Sequence, residues 1–187
     1  MTVPATARTA RFGRWSELRH PFGAWAVSRL LGVVGLVVLP NGNGRWFRWS
    51  GLLTKDGGWF RAVVEQGYPD GYVPKTASTW PFFPLYPWLS GAVHALGVPT
   101  DAALVAVAWL AALAALGGVF VLVRNRFGRR VGVAAVWAFA LMPGSIGLVM
   151  AYSDGMFLAG LVWMLVAIDR VALGANDALG AEGAIDE

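Results

Sequence analysis

The residues from Ala102 to Val123 read AALVAVAWLAALAALGGVFVLV, a run without a charged side chain. Asp101 stands before the run, and a cluster of arginines follows it, at Arg124, Arg126, Arg129 and Arg130. An apolar run of this length with charges at both ends is typical of a helix that crosses a bilayer. The run therefore predicts an all-α membrane protein.

The composition of the whole chain also indicates lipid as its solvent. Of 187 residues, 57% are hydrophobic and 14% charged, with a mean hydropathy of +0.56, whereas soluble domains average about 25% charged residues. Ten tryptophans suit the aromatic belts of membrane interfaces. Cysteine is absent, which excludes disulfides and cysteine-based metal or redox chemistry. The net charge of +4 does not indicate nucleic-acid binding, because the arginines lie beside apolar runs and no nucleic-acid motif accompanies them.

Other apolar runs predict further spans around this one. With it, the sequence predicts four spans: Phe22 to Leu39, Ala102 to Val123, Val131 to about Met150 with an interruption at Pro143-Gly144, and about Gly155 to Ile168. Residues 173–187 are small and acidic and are typical of a disordered tail.

The stretch 82–98 is apolar but ambiguous. It contains Pro84 and Pro87 and is amphipathic after Tyr86, which is typical of a helix lying in the interface. Counting it as a span would put the arginines at 124–130 on the side opposite the N-terminal arginines, against the positive-inside pattern. We therefore expect an interfacial helix here and a cytoplasmic N-terminus, in a multi-pass protein of the bacterial plasma membrane. Segment 41–100 and the turn Tyr152-Ser153-Asp154 would then share the non-cytoplasmic face.

A polar island, Lys55 to Pro87, lies between the first two spans, and we expect a functional site there. A second amphipathic helix is predicted between Thr54 and Gly67, with Asp56 at its start. Aspartate followed by glycines suits a helix cap or a turn, and a catalytic carboxylate is the alternative. The basic side chains of this loop would be solvated, meet lipid headgroups or hold the phosphate of a lipid-linked substrate. They are Arg45, Arg48, Lys55, Arg61 and Lys75.

Other polar residues each have a structural and a functional interpretation. Ser153 suits an N-cap and Asp154 the positive end of a helix dipole, although both could line a cavity. Arg29 is expected to extend its side chain toward the arginine-rich side of the membrane. His94 stands alone and does not predict a metal site. No phosphate-binding glycine motif, nucleophile elbow or metal-ligand spacing is present.

The order of motifs in this island resembles that of the PIG-V-like mannosyltransferases, integral membrane glycosyltransferases of the GT-C class. The resemblance covers about residues 45–170. Its motifs are Asp56-Gly57-Gly58-Trp59, Glu65-Gln66-Gly67-Tyr68, Phe82-Phe83-Pro84-Leu85-Tyr86-Pro87, Pro143-Gly144-Ser145 and Tyr152-Ser153-Asp154.

The resemblance implies a particular reaction. A sugar, mannose in this family, would be transferred with inversion from a polyprenyl-phosphate carrier to an acceptor hydroxyl. Asp56 would act as general base in the external loop 41–100. We further expect the donor to contact a set of neighbouring residues. That set is Lys55, Arg61, Tyr86, Tyr152, Ser153 and Asp154. No cofactor is implied, and a metal ion is left open.

This chain also differs from the family pattern. Lys55 stands where the family commonly has tryptophan, and Asp154 stands in place of a glutamate. Family members are about twice as long, so residues 1–172 would correspond to the N-terminal membrane module. A second chain is one source from which the remaining helices would come. Three hypotheses follow: a glycosyltransferase, a non-catalytic membrane subunit or fragment of one, and a lipid-carrier transporter. The transporter hypothesis lacks the support of an inverted repeat.

Overall fold

The computed structural model of the protein describes residues 17–38, 49–71 and 78–183. These residues form helices and turns, and no β-strand occurs among them, which confirms the predicted all-α fold for this part of the chain. The α-helices are α1 (Arg19–Val38), α2 (Asp56–Gln66), α3 (Leu85–His94), α4 (Thr100–Phe127), α5 (Arg129–Leu141), α6 (Ile146–Val149) and α7 (Asp154–Gly183). Short 3₁₀ turns occupy Trp49–Leu52 and Pro143–Ser145.

Helix α4 is the centre of the fold, and most other helices pack along it. Its first turns, from Thr100, lie against α2 and α3, and we name this the loop end. Its last turn, with Arg124 and Arg126, lies beside the starts of α1 and α5, and we name this the arginine end. Helix α4 is therefore surrounded by different kinds of neighbour at its two ends.

Small residues allow α4 and α7 to approach closely. A Cβ atom built on Gly155 would lie 3.0 Å from the carbonyl oxygen of Ala108, and one on Gly118 would lie 2.8 Å from a methyl group of Val162. Close backbone approach at glycine is the usual packing mode of helices in lipid, where no hydrophobic force drives association. The contact places the start of α7 beside the middle of α4 rather than beside its first residue.

Within the described residues, two helices are long and apolar enough to cross a membrane: α4, and α7 over Asp154–Ala172. A third span would be formed by Arg129–Leu141 and Pro143–Val149 together, two segments bent by 66° at a break. Helix α1 occupies the predicted first span, but its described part does not meet the same criterion. The described residues thus contain two to three possible spans, and the predicted count of four is not confirmed.

The break in the predicted third span follows from its sequence. Pro143 cannot donate a backbone hydrogen bond, so the helix ends at Leu141 and resumes in a new direction. The Ser145 hydroxyl donates to the carbonyl oxygen of Ala140 at 2.8 Å, which supplies a partner near the break. The predicted interruption is confirmed.

At its C-terminal end, helix α7 is longer than the predicted fourth span. Helix continues through Gly183, into the segment whose composition predicts a disordered tail, while residues 184–187 lie outside the described part. Alanines recur at Ala172, Ala175, Ala178 and Ala181. Alanine has the highest helix propensity, which explains why this polar segment prolongs the helix.

Helix α3 turns its polar side inward and its apolar side outward. Tyr86 and Ser90 are fully buried against α4, whereas Trp88 is 65% and Leu89 45% exposed. Such an outward apolar face suits a helix lying at a lipid interface.

Candidate functional site

Asp56 is the third residue of a strained turn at the loop end. The N–H of Gly57 donates to the carbonyl oxygen of Thr54 at 3.2 Å, which closes a four-residue turn that overlaps the start of α2. Lys55 occupies the second position of this turn with φ 52° and ψ −113°. These angles are those of a type II′ turn, where glycine is the favoured residue. A lysine there costs about 1–3 kcal/mol, and such strain tends to be found at functional sites.

The geometry of this turn bears on the two interpretations of Asp56, a helix cap and a catalytic carboxylate. The N-cap position of α2 belongs to Lys55, and Asp56 is the first residue within the helix. Its side chain is exposed, and no other described residue engages its carboxylate in a hydrogen bond or ion pair. The carboxylate is therefore free of a capping role and open to solvent or ligand.

Two hydrogen bonds from a distant segment fix this turn. The Tyr152 hydroxyl donates to the carbonyl oxygen of Thr54 at 3.0 Å, the same oxygen that closes the turn. The Ala151 N–H donates to the carbonyl oxygen of Leu52 at 2.9 Å. The segment between α6 and α7 is thus joined to the segment that precedes Asp56.

Gly57 makes this approach possible. It is buried, and a Cβ atom built on it would lie 3.1 Å from the Cβ of Leu53 and 3.5 Å from the carbonyl oxygen of Ala151. A Cβ atom on Gly58 would meet nothing within 4 Å. The first glycine of the Asp-Gly-Gly-Trp motif is therefore required by packing, whereas the second is not.

Asp154 lies on the other side of the same junction. It is the exposed first residue of α7, and a Cβ atom built on Gly147 would lie 3.7 Å from its Oδ2 atom. The carbonyl oxygen of the half-buried Ser153 accepts the N–H of Phe157 at 3.0 Å, as expected at a helix start. The bonds through Tyr152 hold the starts of α2 and α7 together. Lys55 and Asp56 directly follow Thr54, and Asp154 is two residues after Tyr152, so the hydrogen bond of Tyr152 to Thr54 connects the segments that carry them.

Arg61 is engaged by two carboxylates. Its Nε atom lies 2.9 Å from Oε1 of Glu65, and its Nη1 atom lies 3.3 Å from Oδ1 of Asp101 at the start of α4. The hydrogen bond to Glu65, and then the charge of Asp101, raise the pKa of Arg61 above its usual range. Both acids therefore compete with any other anion for the guanidinium of Arg61.

Tyr86 is placed in the core rather than at the surface of a site. It is 1% exposed, its ring lies edge-on to Phe60 at 4.7 Å, and its hydroxyl donates to the carbonyl oxygen of Leu104 at 2.9 Å. Burial raises the pKa of this phenol. The predicted substrate contact by Tyr86 is replaced by a packing role, because α3 turns this side chain toward α4.

Aromatic residues of the polar island form a layer under α2. Phe82 stacks on Trp59 at 6.0 Å between ring centroids and lies edge-on to Phe60 at 5.0 Å. The Tyr68 hydroxyl donates to the carbonyl oxygen of Phe82, which closes the loop between α2 and α3. The next residue, Phe83, is 84% exposed. The two phenylalanines of the motif thus have opposite environments.

Arg29 does not extend toward the arginine end as predicted. It is 4% exposed and donates to the carbonyl oxygen of Leu148 and, at 2.7 Å, to the Ser28 hydroxyl. Nearby, Trp109 Nε1 donates to the carbonyl oxygen of Val149 at 2.7 Å. Both side chains donate to carbonyl oxygens in the last turn of α6. The last carbonyls of a helix have no N–H partner within it, so these side chains supply the missing donors. The sequence shows no signal for this role, because the acceptors are backbone atoms.

Other predicted polar residues have simpler outcomes. His94 Nδ1 lies 2.8 Å from the carbonyl oxygen of Val98, a local contact after α3. Among the residues described, no group of three His, Asp or Glu side chains could hold a metal ion. The loop residues Arg45, Arg48 and Lys75 lie outside the described residues.

Comparisons with known proteins add no relative to this description. No protein-family model, no curated protein and no solved structure matches the chain. The geometry and the sequence motifs are therefore the grounds for a functional proposal.

Proposed function

We propose that the chain is the N-terminal membrane module of a glycosyltransferase that takes mannose from a polyprenyl-phosphate donor. The observation that carries the proposal is the junction at the loop end, where Tyr152 binds the strained turn that presents Asp56. Two of the motifs on which the family resemblance rests, Asp56-Gly57-Gly58-Trp59 and Tyr152-Ser153-Asp154, meet at this junction. A catalytic carboxylate needs such a fixed backbone, because misplacement by about 1 Å can cost 100-fold in rate.

The proposed step is an inverting displacement at the anomeric carbon. Asp56 accepts the proton of the acceptor hydroxyl while the new bond forms between that oxygen and the sugar carbon. The bond from the sugar carbon to the carrier's phosphate oxygen breaks, and polyprenyl phosphate leaves. Lys55 is the cation best placed to meet the phosphate, because its ammonium group is exposed and has no carboxylate partner among the described residues. Ser153 and Asp154 follow Tyr152 in the chain and would contact the sugar.

A transfer assay with matched variants tests the role of Asp56. Membranes containing the chain would receive radiolabelled polyprenyl-phosphate mannose, and labelled product would be counted. We expect Asp56→Asn to lower transfer about 10²- to 10⁴-fold, the usual contribution of a general base. Asp70→Asn, at another exposed aspartate of the same loop, should leave transfer unchanged. Full transfer by Asp56→Asn would remove this residue from the mechanism.

The variant Tyr152→Phe separates the positioning of Asp56 from the proton transfer that Asp56 would perform. It removes the hydroxyl that binds Thr54 and leaves the Asp56 carboxylate intact. We expect a smaller loss of transfer than in Asp56→Asn and no change in the pH dependence of the remaining activity. A loss equal to that of Asp56→Asn would point to a direct role of the phenol in the reaction.

A non-catalytic membrane subunit is the second candidate. Two observations favour it: Arg61 is neutralised by two acids, and Tyr86 is buried in the core. Both residues would contact substrate according to the resemblance. Wild-type membranes that transfer no more label than membranes without the chain would support this candidate.

The proposed orientation places the loop end outside and the arginine end in the cytoplasm. Its support is the position of the arginines, which favour the cytoplasmic side. Because the chain has no cysteine, single cysteines can report on each side. Gly71→Cys should react with a membrane-impermeant thiol reagent in intact cells, and Asn125→Cys should not. The reverse pattern would invert the orientation.

A further inference from the structure

An open groove lies between α1 and α4 near the arginine end. Its volume is about 430 Å³, within the range of small-molecule sites, about 300–1,000 Å³. Five of its lining residues are apolar or glycine, and the sixth is a cation. The lining is Leu18, Arg19, Pro21, Phe22, Leu113 and Gly117.

The glycine pair in the middle of α4 explains why the groove is open. Gly118 faces α7, where a Cβ atom would lie 2.8 Å from Val162. Gly117 faces the groove, and a Cβ atom there would meet nothing within 4 Å. Helix packing therefore requires glycine at Gly118 but not at Gly117. Gly117 leaves space that a side chain would otherwise fill.

Arg19, which lines this groove, lies near a histidine that a second arginine also approaches. Arg19 and Arg129 are the first residues of α1 and α5, and both approach Nε2 of His20, at 3.5 Å and 3.3 Å. The positive ends of two helix dipoles therefore meet where two guanidinium groups already lie. Burial, and then the charges of Arg19 and Arg129, lower the pKa of His20.

No acid among the described residues balances this charge. Glu17, the nearest acid in sequence, pairs with Arg124, and Asp169 of α7 pairs with Arg126 at 2.7 Å. No described carboxylate lies within ion-pair distance of Arg19 or Arg129. Each arginine offers five N–H donors, and sharing one histidine nitrogen leaves most of them available for an anion.

We propose that this groove binds an anionic phospholipid of the surrounding membrane, with an acyl chain along Phe22, Leu113 and Gly117 and its phosphate on Arg19 and Arg129. The apolar groove lies beside cations that have no carboxylate partner among the described residues, and this combination matches an amphipathic anion. Residues 1–16 are a less suitable occupant, because they carry Arg8, Arg11 and Arg14 and no acid. The site is at the arginine end and is therefore separate from the turn that presents Asp56.

Native mass spectrometry of the detergent-purified chain tests the proposal. The titrants are dioleoyl phosphatidylglycerol and dioleoyl phosphatidylcholine, which share acyl chains and differ in headgroup charge. We expect phosphatidylglycerol to bind the wild-type chain more tightly. The double variant Arg19→Gln/Arg129→Gln should lose about 10- to 30-fold in affinity for phosphatidylglycerol and bind the two lipids alike. Arg130→Gln is the charge control and should keep the preference.

A second pair of variants tests the groove itself. Gly117→Leu fills it and should weaken the binding of both lipids, whereas Gly160→Leu, at an exposed position of α7 where a Cβ atom meets nothing within 4 Å, should not. Unchanged lipid binding by Gly117→Leu would overturn the proposal. So would equal affinity of the wild-type chain for both lipids, displacement of phosphatidylglycerol by millimolar inorganic phosphate, or the absence of any lipid adduct. Thermal unfolding of every variant would show that the fold is kept.

Discussion

The two ends of α4 are stabilised by different interactions. At the loop end, Tyr86 and Tyr152 donate hydrogen bonds to backbone carbonyls of other segments, and a partly exposed ion pair of Arg61 with Asp101 lies beside them. At the arginine end, the contacts are ion pairs between side chains, Arg124 with Glu17 and Arg126 with Asp169. Hydrogen bonds to backbone carbonyls need donors in fixed positions, whereas partly exposed ion pairs are screened by solvent. The loop end should therefore be the less tolerant of substitution.

The largest expected effect is at Tyr86. Tyr86→Ala would remove a fully buried ring from the core of the loop end and leave a cavity beside Phe60. We expect a loss of about 3–5 kcal/mol in the free energy of unfolding, as for other large-to-small core substitutions of aromatic residues. Denaturant unfolding in detergent would measure it. A loss below about 1 kcal/mol would mean that the loop helices are not packed as described.

A smaller effect is expected where α7 meets α4. Gly155→Ala would place a methyl group 3.0 Å from backbone atoms of Ala108 and Ala112, which cannot move independently. We expect a destabilisation of about 1–3 kcal/mol from this overpacking. The matched control is Gly160→Ala in the same helix, which should be neutral or stabilising because alanine is the better helix former. Equal unfolding temperatures of the two variants would contradict the close approach.

Lys55→Gly should act in the opposite direction. Glycine adopts φ 52° without strain, and this gain exceeds the extra entropy it loses on folding. We expect a stabilisation of roughly 1 kcal/mol, measured by thermal unfolding. Lys55→Ala keeps the strain and should show no such gain. A destabilised glycine variant would show that the lysine side chain contributes contacts beyond the turn.

The smallest effect is expected at the arginine end. Glu17→Gln breaks a partly exposed ion pair with Arg124. We expect a loss of at most about 1 kcal/mol, and less in high salt, because solvent and ions screen such pairs. Unfolding at low and at high salt would measure both. A loss as large as that of Tyr86→Ala would remove the distinction between the two ends.

The helices were largely predictable, whereas the role of each polar side chain was not. Hydrophobic period and length placed α2, α3, α4 and the break at Pro143 close to their observed positions. The sequence did not predict that Arg29 and Tyr86 are buried, because their acceptors are carbonyls of Leu148 and Leu104. A backbone carbonyl has no residue type that a pattern could reveal. That the segments before α2 and α7 are joined was not known until the bonds of Tyr152 and Ala151 were located.

By itself, the sequence determined a helical chain with apolar, membrane-type segments, charged ends and a polar island that carries Asp56. Local chemistry is sufficient for those features, since apolar length, proline and glycine act on their own neighbours. Only the tertiary structure decided that Lys55 is strained, that Tyr152 holds its turn, and that Arg61 is neutralised. These depend on contacts between segments far apart in the chain, and such contacts exist only once the helices have packed.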